Sequence, residues 1–148
     1  MSDQVTLRDH WGNLAVTVSC KAIVLQDGKV WLRKNERNDW ELPGGRLDEY
    51  EQPEEAVIRE VREELGFATT PPQLVDVYIW KKDFGTTTHV QLVTFSCEYR
   101  EVIGEMEVQS EAGLSEFSMF AIDEALSLEI LPLPYKRALQ KYAQDNRS

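Results

Sequence analysis

Apolar residues in the first third of the chain follow a pattern that predicts a β-hairpin. Residues 15–25 are apolar and rich in β-branched side chains, which favours a strand. The following Asp27-Gly28 dipeptide is typical of tight hairpin turns, so residues 30–33 are predicted to return as the paired strand. Residues 40–45 then give an apolar approach to a Pro-Gly-Gly turn. The pattern predicts two paired strands and a turn.

The apolar period becomes helical over residues 53–65. Pro53 suits the first helical position, Glu54 and Glu55 favour the positive end of the helix dipole, and Gly66 marks the end. One face of this helix is apolar and is predicted to pack on the core. That face carries Val57, Ile58, Val61 and Leu65.

The rest of the chain returns to short strands and ends in a helix. Strands are predicted over residues 74–80 and 89–99, joined by a loop that contains residues 83–85. A short strand over residues 117–122, a helical turn over 123–126 and a terminal helix over 134–143 follow. Strands and helices mix without regular βαβ alternation, and no repeat or linker divides the chain. A single α+β domain over residues 1–148 is therefore predicted.

Composition narrows the class of protein. The 148 residues are 42% hydrophobic, which is enough for a core without disulfides, and Cys20 and Cys97 are predicted to be buried free thiols. No apolar run is long enough to span a membrane and the N-terminus does not resemble a signal peptide, so a cytoplasmic protein without a membrane partner is expected. The net charge of −10 argues against broad nucleic-acid binding. It is compatible with a small anionic substrate if a metal ion supplies positive charge.

Three carboxylates of the predicted helix lie three and four residues apart. Glu60, Glu63 and Glu64 therefore share one face, where like charges repel. The side chains could splay into water, screened by Arg59 and Arg62. They could instead bind a hard cation such as magnesium, which prefers oxygen ligands. Spacing alone leaves both explanations open.

The residues around this helix carry a complete motif. Gly45 is followed after five residues by Glu51, and after seven more by Arg59 and Glu60. Val61, Glu63, Glu64, Gly66 and Phe67 then occupy the remaining defined positions. The chain thus resembles the Nudix hydrolase family, whose box is G-x5-E-x7-R-E-U-x-E-E-x-G-U with U apolar. The match over residues 45–67 covers every defined position, and the resemblance extends in weaker form over most of the chain.

The resemblance implies a Nudix-like α/β/α sandwich with a mixed sheet, in which the box forms a loop, helix and loop at the active site. The metal ligands it implies, for Mg²⁺ or Mn²⁺, are Gly45 through its carbonyl, Glu60, Glu63 and Glu64. Arg59 resembles the residue that pairs with Glu51 and orients the glutamates, so both are catalytic candidates. Glu63 is a candidate base as well as a ligand, although which glutamate is the general base stays open.

Outside the box the implied roles are less specific. Arg33 stands where family members often place an arginine that contacts phosphate, although an exposed strand-end arginine explains it equally well. A further catalytic glutamate is expected from a late loop, where Glu105, Glu107, Glu111 and Glu116 compete and Glu111 is favoured. Phe84 is the preferred side chain for stacking on a base, whereas Trp80 is expected to pack in the core.

These residues predict a metal-dependent pyrophosphohydrolase for a small nucleotide. The favoured substrate is a nucleoside diphosphate linked to a second group, such as ADP-ribose or a nucleotide sugar. A triphosphate house-cleaning pyrophosphatase, an RNA 5′-end pyrophosphohydrolase, an isomerase and a non-catalytic ligand sensor of the same fold are the alternatives. All box glutamates are present, which argues against the sensor. The oligomeric state, including a homodimer, stays open.

Overall fold

The computed structural model describes residues 5–84, 86–106 and 116–146, with only the backbone of Val5 and Phe84. Over these residues the chain forms nine strands and three helices. The strands are β1 (Val5–Thr6), β2 (Val16–Gln26), β3 (Lys29–Lys34), β4 (Trp40–Glu41), β5 (Gly44–Arg46), β6 (Phe67–Thr69), β7 (Gln73–Phe84), β8 (Thr86–Val102) and β9 (Glu116–Ala121). The helices are α1 (Pro53–Leu65), α2 (Ile122–Leu126) and α3 (Leu133–Asp145).

Strands β2 and β8 form the parallel centre of a mixed sheet. They pair from Val16 opposite His89 to Leu25 opposite Glu98. Strands β3 and β5 continue the sheet antiparallel beyond β2, and β7 pairs antiparallel with the other edge of β8. The short β1 adds a second parallel pairing to β8. The expected mixed sheet is confirmed.

Helices cover both faces of β2, which explains its continuous apolar run. Cys20, Ala22 and Val24 share one core cluster with the apolar residues of α1. Ile23 and Leu25 point to the opposite face, where they share a second cluster with residues of α2 and α3. A strand buried on both faces has no solvent side and needs no polar alternation. The result is the predicted α/β/α sandwich.

The β2–β3 hairpin and helix α1 follow the sequence prediction closely. Asp27 and Gly28 have φ values of 51° and 75°, as a type I′ turn requires, and α1 spans the predicted residues. Gly66 ends α1 in the left-handed region with φ 73°, and its N–H bonds to the carbonyl of Arg62. The prediction that Ile58 belongs to the buried stripe was wrong. Ile58 is 46% exposed, and Ala56 is buried instead.

Two predicted connections are strands in the structure. Residues 44–46 pair with β2 as β5 rather than forming a free turn. The prediction of a loop over residues 83–85 is also wrong. Strand β7 continues to Phe84, which pairs with Thr86, the first residue of β8. Cross-strand pairing extends the hairpin beyond its apolar part, since backbone hydrogen bonds do not depend on side-chain polarity.

The predictions for the cysteines are confirmed. Cys20 and Cys97 are buried free thiols, and burial, the main cause, raises the pKa of each to about 11. Among the residues that the structure describes, no helix is both long and apolar enough to cross a bilayer.

Candidate active site

The guanidinium of Arg59, on α1, holds the loop before the helix. Its Nη2 and Nε donate to the two carboxylate oxygens of Glu51 at 2.7 and 3.0 Å. Glu51 also accepts the N–H of Asp48 at 2.9 Å. The hydrogen bonds from Arg59 lower the pKa of Glu51, and the same pairing raises the pKa of Arg59. This two-point contact fixes the orientation of both side chains.

The same guanidinium contacts two further glutamates of α1. Its Nη1 lies 2.9 Å from Glu60 Oε1 and 3.3 Å from Glu63 Oε2. Its Nη2 donates to the carbonyl oxygen of Arg46 at 3.3 Å, which ties the end of β5 to the helix. Glu60 is mostly buried, whereas the side chain of Glu63 is 56% exposed. Arg59 is therefore the shared counter-ion of the acidic face.

Glu64 is the buried member of the acidic face. It is 6% exposed, and its Oε2 accepts the N–H of Gly44 at 2.8 Å. Burial raises the pKa of Glu64 to about 8, although the Gly44 hydrogen bond and the nearby charge of Lys21 oppose the shift. The neighbouring carboxylate of Glu60 adds to the rise. A carboxylate in this position is stabilised by added positive charge.

Gly44 and Gly45 permit the close contact between β5, β2 and α1. Gly44 has φ 136°, and a Cβ there would collide with the carbonyl oxygen of Cys20. A Cβ on Gly45 would lie 2.7 Å from Glu60 Oε1. A side chain at Gly44 would collide with the backbone of β2, so packing requires this glycine, whereas a side chain at Gly45 would displace the carboxylate of Glu60.

Two basic residues lie on the other side of Glu64. Arg33, on β3, pairs with Glu41 at 2.8 Å and is close enough to lower the pKa of Glu64. Lys21, on β2, is only 7% exposed, and its Nζ donates to the carbonyl of Leu42 at 3.3 Å. Lys21 was not among the site residues predicted from the sequence. The signal that could have found it is a lysine within the apolar run of residues 15–25.

A cleft opens beside Lys21, away from α1. Its inner cavity, of about 190 Å³, is lined by Lys21 and Arg46, and its outer cavity, of about 330 Å³, is lined by Arg37. The two cavities share Glu41, Trp80, Lys82 and Tyr135. The Trp80 and Tyr135 rings meet edge to face at 5.8 Å, and Lys82 Nζ lies 4.1 Å from the centre of the Trp80 ring. Trp80 packs on the core as expected and also forms a wall of the cleft.

Basic groups crowd this cleft although the protein is acidic. Burial and the positive charges of Arg37 and Lys21 lower the pKa of Lys82. A larger cavity of about 690 Å³ lies at the opposite end of β2, beside the Asp27–Gly28 turn, and contains no lysine or arginine among its lining residues. The cationic cleft next to the box is therefore the place suited to an anionic substrate.

Three predicted site residues are not placed at the site by the described part of the structure. Glu111 lies outside the residues that the structure describes, as does the side chain of Phe84. Glu116 lies in β9 opposite Lys34 and is exposed. Within the described ranges, no group of three or more His, Cys, Asp or Glu side chains converges closely enough to hold a metal ion. Glu60 and Glu63 are turned towards Arg59, and Glu64 towards Gly44.

Comparison with known proteins agrees with this geometry. The NUDIX domain model matches residues 13–142. An ADP-ribose pyrophosphatase of Methanocaldococcus jannaschii is 32% identical over 104 residues, which are 68% of this chain and 60% of that protein. An 8-oxo-dGTP diphosphatase of Proteus vulgaris is 49% identical over 37 residues, which are 25% of this chain and 33% of that protein. The chain thus spans less than two thirds of the length of these curated relatives.

A solved structure shows the same fold over nearly the whole chain. A MutT NUDIX hydrolase from Burkholderia pseudomallei superimposes with a TM-score of 0.71 at 29% identity, covering 86% of this chain and 98% of that one. The domain match covers most of the sequence, and the fold and the box agree with it. The chain belongs to the Nudix hydrolase family.

Proposed function

We propose that the protein is a metal-dependent pyrophosphohydrolase that cleaves the phosphoanhydride bond of a nucleoside diphosphate linked to a second group. The observation that carries the proposal is the position of the acidic face of α1. Glu60 and Glu64 lie against the two glycines of β5, and the next residue of β5, Arg46, lines a cleft that also contains cations and aromatic rings. Carboxylates on one side and cations on the other are what a diphosphate with a bound divalent ion requires.

The donor atoms of this site fit a hard divalent cation. Glu60, Glu63, Glu64 and the carbonyl of Gly45 offer only oxygen, which Mg²⁺ and Mn²⁺ accept. Because Gly45 has no side chain, the carboxylate of Glu60 lies close to the backbone of β5. When bound, the ion would neutralise phosphate charge and lower the pKa of a water molecule. Nudix hydrolases generally use divalent ions, and we propose Mg²⁺ here.

The protein's own residues set the geometry of this site. Arg59 holds Glu51 by two hydrogen bonds, so the loop before α1 stays fixed against the helix. Glu63 is the most exposed of the three glutamates and is free to turn from Arg59 to accept a proton from water. Arg33 supplies positive charge on the side of Glu64 that faces away from α1 and would stabilise charge on a phosphate oxygen.

The cleft supports a substrate with a second group beyond the diphosphate. Its outer cavity, about 330 Å³, lies within the usual size range of small-molecule sites. Trp80 and Tyr135 offer ring surface to a base or sugar, and Lys82 offers charge. The relative matched over two thirds of this chain is named as an ADP-ribose pyrophosphatase. ADP-ribose and nucleotide sugars are therefore the substrates to test first.

Product analysis tests both the reaction and the substrate. The protein would be incubated with Mg²⁺ and, separately, ADP-ribose, a nucleotide sugar and the deoxynucleoside triphosphates, and products would be separated by ion-exchange chromatography. We expect AMP and ribose 5-phosphate from ADP-ribose. Pyrophosphate release from the triphosphates, with ADP-ribose untouched, would instead favour a triphosphate house-cleaning pyrophosphatase. No turnover in any arm would overturn the proposal.

A further inference from the structure

The ammonium group of Lys21 is buried and forms no ion pair with any residue that the structure describes. Lys21 lies in the middle of the central strand β2 and is 7% exposed. Its side chain points to the α3 face, where its Nζ lies 5.7 Å from the centre of the Tyr135 ring. Transfer of an ammonium group from water to such a place is costly unless it is paired and hydrogen-bonded. The buried charge of Lys21 therefore does not contribute to the packing of the core around β2.

The hydrogen bonds of this ammonium group are incomplete. Of its three N–H groups, one donates to the carbonyl of Leu42 at 3.3 Å and a second interacts with the side chain of Tyr135, which leaves the third without a partner among the described residues. Within the described part of the chain, no carboxylate forms an ion pair with it. Burial lowers the pKa of Lys21, but Tyr135, Glu41 and Glu64 together raise it above its ordinary value, and the two carboxylates bind other donors. Glu64 accepts from Gly44, and Glu41 accepts from Arg33 and Asn35.

The unmatched N–H group belongs to a side chain that borders the substrate cleft. Lys21 lines the inner cavity of about 190 Å³ together with Arg46, the last residue of β5. The same cavity is lined by Lys82, Trp80 and Tyr135, so the ammonium group of Lys21 adds to the positive charge of the cleft. The missing partner of Lys21 is then an anion that enters the cleft.

We propose that Lys21 is a substrate-binding residue that donates to a phosphate oxygen, on the side of the diphosphate that faces away from the glutamates of α1. The proposal rests on the proposed function, because it assigns Lys21 to the same substrate. A role for Lys21 as a counter-ion that stabilises Glu41 and Glu64 is the competing explanation. The two roles predict opposite results when the charge is removed and the shape is kept.

Lys21→Met makes that change. Lys21 forms no ion pair with a described residue, so an apolar side chain of similar length removes the cost of burying its charge. We expect the melting temperature of Lys21→Met to be unchanged or higher. Loss of a charge-assisted hydrogen bond should weaken binding of inorganic pyrophosphate, measured by calorimetry with Mg²⁺ present, by about 30-fold. With any substrate found in the product analysis, KM should rise by a similar factor while kcat changes less.

Lys29→Met is the matched control, because Lys29 is exposed at the far end of the β2–β3 hairpin. It should bind pyrophosphate as the wild type does. A lower melting temperature for Lys21→Met with unchanged pyrophosphate affinity would establish the counter-ion role and overturn the proposal. Absence of pyrophosphate binding by the wild type would overturn it too. The binding assay needs no turnover, so it tests the role of Lys21 even if the protein does not hydrolyse the proposed substrates.

If Lys21→Met does not fold, the wild type provides the test. The ammonium signals of its lysines can be followed by NMR during a pyrophosphate titration with Mg²⁺. The Lys21 ammonium, slow to exchange because it is buried, should shift strongly, and the Lys29 signal should not. A Lys21 signal that does not respond at saturating pyrophosphate would refute the contact.

Discussion

Two charge clusters lie on opposite faces of the sheet, and they differ in the sign of the charge that is in excess. At the box, the single cation Arg59 contacts the carboxylates of Glu51, Glu60 and Glu63, with Asp48 at 3.5 Å. On the α3 face, the single carboxylate of Asp76 receives two cations. Lys141 Nζ lies 2.7 Å from Oδ1 and Arg137 Nε 3.2 Å from Oδ2.

The difference lies in which charge is buried. The Asp76 side chain is 2% exposed, while Arg137 and Lys141 are each 45% exposed and keep much of their hydration. Two half-hydrated cations compensate the charge of this buried ion and join β7 to α3, although Asp76 Oδ2 accepts no hydrogen bond among the described residues. At the box, excess carboxylates surround one cation, and Glu64 is buried beside them. The charge of Asp76 is thus balanced by its two cations, whereas the carboxylates at the box outnumber their cation and would be stabilised by a further positive charge.

The largest expected effect comes from the cluster at the box. Glu64→Gln keeps the shape of the side chain and removes its charge, so the site loses a proposed ligand. Turnover should fall by about 1,000-fold, in the range that loss of one transition-state contact produces. The measurement is kcat at saturating Mg²⁺, with circular dichroism to check the fold.

Glu54→Gln, on the exposed first turn of the same helix, is the control for this substitution and should keep wild-type turnover. Near-normal turnover of Glu64→Gln would contradict the assignment of Glu64 to the metal site.

The Asp76 cluster should matter for stability instead. Asp76→Ala removes the carboxylate that Arg137 and Lys141 share, so β7 and α3 lose this buried ionic link. The free energy of unfolding should fall by about 3 kcal/mol, measured by urea denaturation. Asp145→Ala, an exposed acid at the end of α3, should change it by less than about 0.5 kcal/mol. Equal effects of the two substitutions would mean that the Asp76 cluster adds nothing.

The smallest effect concerns pH and the metal-free protein. Burial raises the pKa of Glu64 to about 8, above the unfolded value of 4.5, so the native state binds the proton more tightly. Stability is therefore greatest below the unfolded pKa and falls as pH rises towards 8. Between pH 6 and 8 the loss should be roughly 2 kcal/mol.

Chemical denaturation in EDTA at several pH values measures this slope. Glu64→Gln should flatten it, and Mg²⁺ should reduce it by stabilising the charged carboxylate. A slope that Glu64→Gln leaves unchanged would assign the pH dependence to other groups.

Local signals in the sequence were enough to determine helix α1 and the β2–β3 turn. Pro53 and Gly66 begin and end α1 through their own backbone preferences, and Asp27-Gly28 adopts the positive φ values that the turn needs. The spacing of the box glutamates likewise follows from the helical period. Interactions between residues close in sequence fixed these features, so periodicity and turn chemistry predicted them.

The pairing of distant residues was decided only by the tertiary structure. Asp76 meets Lys141 across 65 positions, and Gly44 binds Glu64 across 20, so neither contact leaves a local pattern. Ile58 has the spacing of a buried residue, but the surface that α1 presents to the sheet does not reach it. Lys21 lies within an apolar run, and nothing in that run indicates where its ammonium group will lie. Strand register and the packing of Tyr135 placed its ammonium beside a cleft, because the sheet order sets which side chains share a face.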